Sequence, residues 1–326
     1  MPGETWLVSN LRVGRNIVRA ALKDLEKEGV LISQGAGKPR LISDELRESL
    51  ANYRITFLVY SQSGRYTEDT QRLQRRLGEL GHRVQVAPKT LTDLGMKAGR
   101  VAKMAEQVET DAWVVFAGSK EVLEWFAQQR KPAFALYGRF PDSPIARTGP
   151  GRFPAYQAAI QRLVELGHQR IVFLLPHSMR KPTPSRLLQG IIDELESLNV
   201  PTGDYTHPDW RETPEGLLQC VDKLFKHTPP TALFISQPRE FHAVERHLAA
   251  RGILAPRDIS LICTEHDPDF EWSRPLTSHF EWSLRPCINR IARWVANVSR
   301  GKQDLRGSFT PVKFVEGGTI GPAPKG

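Results

Sequence analysis

The chain has 326 residues, enough for two or three compact domains. Apolar residues make up 40% of it and charged residues 25%, which predicts folded domains and excludes a disordered chain. The net charge of +9 favours a polyanionic partner only weakly. No apolar run reaches the roughly 18 residues of a membrane span, and the amino-terminal residues lack the pattern of a signal peptide. We therefore expect a cytoplasmic protein without a membrane contact.

The cysteines and the known catalytic motifs point away from several classes of protein. Cys220, Cys263 and Cys287 have no paired spacing, so neither a disulfide framework nor a zinc site is predicted. The first predicted strand is not followed by a dinucleotide-binding glycine pattern, and the chain has no phosphate-binding loop or metalloprotease motif. We expect no cofactor, no metal and no enzymatic activity.

Two helices and a hairpin are predicted at the start of the chain. A helix over residues 4–10 is followed by a second one that begins near Val13 and ends at Gly29. In the second helix, Val18, Ala21, Leu22 and Leu25 repeat at the spacing of one apolar face. Short apolar strands then flank a glycine-containing turn. This order is typical of a winged helix-turn-helix, whose second helix enters the major groove of DNA.

The stretch "MPGETWLVSNLRVGRNIVRAALKDLEKEGVLISQGAGK" resembles the GntR-type winged-helix domain at many fixed offsets, including the R-x-x-V-R-x-A-L segment and the G-x-G wing. Two positions depart from that pattern: Gly14 stands where the family has a capping serine, and Ile17 where it has threonine. The family's first helix has no counterpart here, which suggests either a start further upstream or a truncated domain.

The resemblance implies which side chains contact DNA. Arg15, Asn16 and Arg19 would face the groove, because arginine pairs with guanine and asparagine with adenine. The remaining basic residues would contact phosphates. These are Arg12, Lys23, Lys38 and Arg40.

Beyond a polar linker over residues 44–53, buried-type strands alternate with helices. Examples are the apolar runs 55–60, 112–116, 133–136, 232–235 and 260–263. A less marked strand is predicted near Tyr205. Such alternation predicts an α/β fold with doubly wound parallel sheets, and two successive sets predict two lobes.

Three stretches carry a second resemblance. "AAIQRLVELGHQRIVFL", "PTALFISQPREFHAVERHLAARGILAPRDISLI" and "RPLTSH" are similar to the LacI/GalR-type effector domain, a two-lobed fold of the periplasmic-binding-protein type I class. We accordingly expect a DNA-binding domain at residues 1–43, a two-lobed effector and dimerisation domain at 54–320 and a tail at 321–326. The resemblance implies lobe crossings near residues 149–154, 276–279 and 307–311.

Ligands of such folds bind between the lobes, beside the carboxyl ends of the strands. The candidate effector-binding residues lie at those predicted ends. Arg186 also matches the family's effector-contacting arginine, Gln237 stands near the family's Asn-Asp, and Glu265 stands where the family has aspartate. The full set is Ser61, Arg65, Tyr66, Arg139, Arg186, Gln237, Glu265 and Trp272.

The combined pattern predicts a homodimeric transcription regulator, a repressor, whose affinity for a double-stranded DNA operator is controlled by a small-molecule effector. One alternative is a cytoplasmic small-ligand sensor or binding protein with an inactive DNA reader. An exported sugar-binding protein and an enzyme on the same fold are less favoured, the first for want of an export signal and the second for want of a nucleophile, base and orienting group at catalytic spacing.

Overall fold

The computed structural model describes residues 3–11, 13–35, 38, 40–42, 53–140, 142, 144–181 and 183–324. By its internal contacts the chain divides into two units. The first comprises residues 1–147 and 288–307, and the second comprises residues 148–287 and 308–326. Most of the predicted linker, residues 44–52, lies outside the described residues, as do Arg12 and the wing residues Ala36 and Gly37.

The first unit starts with two helices and a two-stranded antiparallel sheet. Helix α1 spans Glu4–Leu11, α2 spans Arg15–Lys27, and the sheet pairs β1, Leu31–Ile32, with β2, Leu41–Ile42. The α2 helix begins after Gly14, which supplies no side-chain cap. Among the described residues of this segment, three are buried and form its core, and they are Val18, Leu22 and Leu31.

The rest of the first unit is built on strands β3 to β6 of a six-stranded sheet, whose order is β12-β7-β6-β5-β3-β4; β7 and β12 begin in the first unit, but most of their residues belong to the second. Strands β3, β4, β5 and β6 pair in parallel. The strands are β3 (Arg54–Leu58), β4 (Arg83–Val86), β5 (Ala112–Phe116), β6 (Ala133–Leu136), β7 (Ala146–Gly151) and β12 (Gly307–Pro311). The helices between them are α3 (Glu68–Glu79), α4 (Ala98–Glu106) and α5 (Lys120–Ala127).

The second unit has a five-stranded sheet in the order β13-β11-β10-β9-β8, parallel except where β13 pairs with β11. Its strands are β8 (Ile171–Leu174), β9 (Ala232–Ile235), β10 (Ser260–Cys263), β11 (Ser278–Glu281) and β13 (Lys313–Val315). Its helices are α6 (Phe153–Glu165), α7 (His177–Arg180), α8 (Arg186–Ser197), α9 (Pro214–His227) and α10 (Pro238–Ala249), while α11 (Arg285–Val298) leads into the first unit.

Helices cover both faces of this second sheet, because alternate residues of each strand point to opposite sides. Phe173 and Phe234 pack with α6 and α8 on one face. Val172 and Leu233, their neighbours in sequence, pack with α9 and α10 on the other. The predicted α/β architecture with parallel sheets is confirmed here.

Two details of the prediction are wrong. Residues near Tyr205 form turns rather than a strand, although the Phe173 amide of edge strand β8 donates one hydrogen bond to the Thr206 carbonyl, at 2.7 Å. The chain does not leave the second unit near residues 276–279. That stretch enters β11, where His279 pairs with Val315 and Phe280 packs in the core, and the change of unit comes after Cys287.

Candidate functional site

A row of polar and basic side chains lies on the solvent side of α2. Arg15, Asn16, Arg19 and Lys23 are all exposed, while Val18 and Leu22 point inward. The separation follows from the helical repeat, because apolar and basic residues recur on different sides of the cylinder. Of the other residues predicted to contact DNA, Lys38 is exposed and Arg12 lies outside the described residues.

Two of the arginines that are predicted to contact DNA form ion pairs with acidic side chains of the protein itself. The Nε of Arg19 lies 2.9 Å from a carboxylate oxygen of Glu4, and Arg40 forms ion pairs with Glu26 and Glu4. The hydrogen bond from Arg19 lowers the pKa of the Glu4 carboxyl, and the hydrogen bond to Glu26 raises the pKa of Arg40. Arg40 thus joins the start of β2 to both helices, in addition to its predicted role at phosphates.

In the first unit the predicted effector residues follow the carboxyl ends of β3 and β6. Arg65 is held by the protein itself, because its Nη2 donates to the carbonyls of Ala87 and Pro88 at 2.8 and 3.0 Å. Tyr66 is 76% exposed, and Ser61 bonds with Ser63 at 2.9 Å between hydroxyl oxygens. Burial lowers the pKa of Arg139, which is half-buried beyond β6.

A glycine permits the close approach of the loops after β5 and β6. Gly138 has a φ of +96°, and a Cβ there would lie 2.6 Å from the carbonyl oxygen of Gly118. Any side chain would therefore push the two loops apart. The position of Arg139, whose amide donates to the same Gly118 carbonyl at 3.0 Å, depends on this contact.

Two predicted residues of the second unit lie at one edge of its sheet. Ile235 and Cys263 are paired across β9 and β10, and Gln237 and Glu265 each follow two residues beyond that pair. Parallel strands end at the same edge, so this register places both polar residues there. Gln237 is exposed and precedes the first turn of α10.

Glu265 is the centre of a small polar cluster that sequence reasoning only partly anticipated. Its carboxylate pairs with the guanidinium of Arg152 and accepts a hydrogen bond from the indole nitrogen of Trp282, at 3.0 Å. Arg152 also donates to the Thr264 carbonyl at 3.0 Å. Arg152 and Trp282 were missed because they lie 113 residues before and 17 residues after Glu265, and no local motif links them.

Arg186 and Trp272 are both exposed. Arg186 is the first residue of α8, after the Ser185 cap, and Trp272 closes a short 3-10 helix with 84% of its surface exposed. An exposed indole beside a strand end can stack on a ring, and a guanidinium can bind hydroxyl or anionic oxygens. Both predicted roles remain predictions.

Arg180 is a buried arginine that the sequence did not indicate as a site residue. Arg180 donates to the carbonyls of Leu175 and Trp210 at 2.9 and 3.0 Å and pairs with Asp209. Its guanidinium lies over the Trp210 ring, 5.9 Å from the centroid. This network fixes the segment before α9 against the end of β8. Asp209 and Trp210 lie 29 and 30 residues after Arg180, so no local sequence pattern links them to it.

Glu240, in the first turn of α10, has an unusual carboxyl group. Burial raises its pKa to about 7, the positive Arg239 lowers it and Glu212 adds to the increase. One carboxyl oxygen is buried and has no hydrogen-bond partner within the described part of the chain. A carboxyl with this pKa titrates near neutral pH, and such perturbed groups are common at functional sites. Glu240 is therefore a candidate functional residue that the sequence did not indicate.

The described ranges contain neither a candidate metal centre nor a candidate membrane-spanning helix. No group of three or more histidine, cysteine, aspartate or glutamate residues among them could hold a metal ion. The described helices all fall short of the length and apolar character needed to cross a bilayer.

Comparison with known proteins defines the class of the α/β region. A family model described as a periplasmic binding protein-like domain matches residues 160–320. A comparison with curated proteins finds no significant match. The second unit, which contains most of the matched range, therefore has the α/β architecture of periplasmic-binding-protein-like domains.

Solved structures similar in fold include regulators of the LacI family. A LacI family transcriptional regulator from Enterococcus faecium with bound ribose is 16% identical, with a TM-score of 0.65 over 82% of this chain and 99% of that one. The Escherichia coli transcriptional repressor ascG is 17% identical, with a TM-score of 0.67 over 82% and 99%. The lac repressor dimer bound to operator and the anti-inducer ONPF is 17% identical, with a TM-score of 0.67 over 86% and 99%. At these identities the likeness establishes the fold.

Proposed function

We propose that this protein is a DNA-binding transcription regulator, a repressor, whose affinity for its operator is controlled by a small molecule. The single observation that carries the proposal is the exposed row Arg15, Asn16, Arg19 and Lys23 on a helix that follows a turn and precedes an antiparallel hairpin. That row stands in the same chain as an α/β fold shared with ligand-binding regulators. Guanidinium and amide side chains on one helix suit contacts with base edges in the major groove.

The effector is proposed to bind at the carboxyl ends of the strands. Support comes from the polar groups at the edge of the second sheet, where Gln237 and Glu265 lie in register and Arg186 begins the nearby α8. Because Arg152 neutralises Glu265, this edge does not carry a bare negative charge. A polyhydroxylated ligand that exchanges hydrogen bonds with both partners fits this cluster.

DNA binding can be tested with charge-reversed variants of the full chain. We expect the protein to bind duplex DNA from its own upstream region with an affinity that falls steeply as salt rises. Arg15→Glu should weaken that binding by about 30-fold or more, since it replaces an attractive contact with a repulsive one. The matched control is Arg75→Glu, which reverses an exposed arginine on α3 and should leave the affinity within about twofold.

Fluorescence anisotropy over a salt titration measures both variants. Equal losses in the two variants, or wild-type binding that does not respond to salt, would contradict the proposal. Sedimentation of the protein with its DNA tests the accompanying proposal of a homodimer, which would read two half-sites related by two-fold symmetry.

A second candidate function is a small-ligand sensor that does not read DNA. The observation that favours it is the small core of the first segment, together with the ion pairs that hold Arg19 and Arg40. Thermal-shift screening against sugars, sugar acids and nucleobases separates the two candidates. Ligand-dependent stabilisation without any DNA binding would favour the sensor, whereas release of DNA by the same ligand would favour the regulator.

A further inference from the structure

A cavity of about 330 Å³ lies inside the second unit, between α9 and the segment 205–211 that precedes it. None of the eight predicted effector residues lines it, so within the described part of the chain it is a separate feature. Its volume falls at the lower end of the range typical of small-molecule sites, about 300–1,000 Å³.

One wall is a single face of α9. The lining residues recur at intervals of three and four, which is the spacing of neighbours along one side of an α-helix. They are Gly216, Gln219, Cys220, Lys223, Leu224 and His227. Cys220 and Leu224 are buried and form the apolar floor, whereas Gln219, Lys223 and His227 reach solvent at the rim.

The opposite wall is held in place by hydrogen bonds of its own. The Tyr205 hydroxyl donates to the Thr228 carbonyl at 3.0 Å, and the Trp210 indole nitrogen donates to the Leu175 carbonyl at 3.1 Å. Because these polar atoms are already bonded, the two aromatic side chains contribute mainly carbon surface to the cavity. Such a wall is formed before any ligand arrives, which reduces the entropic cost of binding.

Close packing at Gly216 sets one end of the cavity. A Cβ at this position would lie 2.3 Å from the carbonyl oxygen of Arg211. The segment before α9 therefore crosses directly over the first turn of the helix there.

The charges around the cavity are unbalanced. The cations Arg211 and Lys223 line it without any hydrogen bond or ion pair of their own side chains within the described part of the chain. The one acidic lining residue, Asp209, is paired with the buried Arg180. An anionic group placed beside Lys223 would therefore gain attraction without displacing an existing partner.

From the apolar floor, the aromatic wall and the unpaired cations, the geometry points to a second ligand site in this unit. It takes a flat, apolar molecule that carries one carboxylate, with the ring system between Trp210 and the floor of α9 and the carboxylate beside Lys223. An ion without a ring would leave the apolar surface uncovered, and a ring without charge would leave Lys223 unpaired.

Indole-3-acetate is a suitable probe because it combines a bicyclic ring with a carboxylate. Titration calorimetry on the full chain should give a Kd of about 1 mM or tighter for a ligand of this size. Acetate, which has the charge without the ring, and indole-3-ethanol, which has the ring without the charge, should each bind at least about tenfold more weakly.

Two cavity variants and one control variant locate the site. Lys223→Glu should weaken indole-3-acetate binding by about tenfold or more, whereas Lys226→Glu, the same change on the same helix but outside the cavity lining, should leave it within about twofold. Gln219→Trp fills the cavity from its exposed rim and should abolish binding. Thermal midpoints of all three variants close to that of the parent would show that the helix is intact.

Cys220 gives an independent readout of position. It is 7% exposed, while Cys263 and Cys287 are fully buried, so a small thiol-specific reagent should modify Cys220 first. Saturating indole-3-acetate should slow that modification at least about fivefold by covering the floor of the cavity. No detectable binding, equal losses in Lys223→Glu and Lys226→Glu, or acetate binding as tight as indole-3-acetate binding would overturn the proposal, as would an unchanged rate at Cys220.

Discussion

The segment that ends at Ile42 and the second unit bury apolar side chains on very different scales. The described residues of the segment include three buried core residues, whereas the second unit has two large clusters on the two faces of its sheet. In the segment, large apolar side chains such as Trp6, Leu11 and Ile17 are more than half exposed. The amount of buried apolar surface sets the free energy available for folding, so the two regions should differ strongly in stability.

The ionic contacts differ in the same way. Glu4 and Arg19 pair at the surface, where water and salt screen the attraction. Asp304, in the sheet-containing part of the first unit, has a side chain only 2% exposed and is bonded by Arg290 and Asn297. The basic face of α2 therefore lies on a segment with little buried apolar surface, and we expect this segment to unfold more easily than the α/β regions. Four substitutions test this difference, in order of decreasing effect.

The largest effect is expected for Phe234→Ala in the core of the second unit. The Phe234 ring stacks on Phe173 at 4.5 Å between centroids and contacts Tyr156 at 5.7 Å. Its removal leaves a cavity and should lower the free energy of unfolding by about 3–5 kcal/mol. Urea denaturation measures the loss. Leu254→Ala, a truncation at an exposed site, should cost less than about 0.5 kcal/mol; a similar loss in both variants would mean that this core is not tightly packed.

Asp304→Asn should have the next largest effect, about 3 kcal/mol, because it leaves the half-buried Arg290 without its counter-charge. Burial alone would raise the pKa of Asp304, but the hydrogen bonds from Asn297 and Arg306 and the charge of Arg290 lower it to about 2. A carboxyl with a lowered pKa stabilises the fold above its unfolded pKa of about 3.9. That contribution, about 2 kcal/mol, should disappear as pH falls from about 4 to about 2.

Acid denaturation of the parent and the Asp304→Asn variant measures this dependence. The variant should lose part of the slope between about pH 4 and pH 2. Glu79→Gln in the same unit removes a surface ion pair with Arg76 and should change the slope little. Identical acid profiles for the parent and Asp304→Asn would show that the buried cluster contributes nothing.

Leu22→Ala should cost about 2 kcal/mol, but only locally, because Leu22 belongs to the small core of the first segment. We expect amide hydrogen exchange in α2 to become about 30-fold faster, while exchange in the second unit stays unchanged. Ile17→Ala, at an exposed position of the same helix, is the control. Faster exchange in the second unit's strands would show that the two regions are coupled and would contradict this prediction.

Glu4→Gln should have the smallest effect. It removes the ion pairs to Arg19 and Arg40 at the surface, so the thermal midpoint should fall by about a degree at most, and by nothing at about 0.5 M salt. If Arg19 contacts DNA, its release from Glu4 should leave DNA affinity equal or slightly higher. A large loss of affinity would instead assign Glu4 a direct part in presenting α2.

Most strands of the α/β region could be predicted because each is a short, buried apolar run bounded by turn residues. The predicted strands at 112–116, 133–136, 232–235 and 260–263 match the structure to the residue. The predicted strand near Tyr205 failed because it had no apolar run, and its segment is held instead by Arg180 and Trp210. The crossing placed near residues 276–279 failed because β11 and β13, distant in sequence, pair there.

The sequence by itself determined most of the helices, strands β3 to β6 and β8 to β10, the basic face of α2 and the strand ends where polar residues follow. These features depend on local spacing and on one-dimensional apolar patterns. Only the tertiary structure decided that Glu265 is neutralised by Arg152 and that Asp209 pairs with Arg180. It also decided that Lys223 lines a cavity without a partner among the residues that the structure describes. The physical reason is that charge pairing and cavity shape depend on residues far apart along the chain, which meet only when the sheet and helices pack.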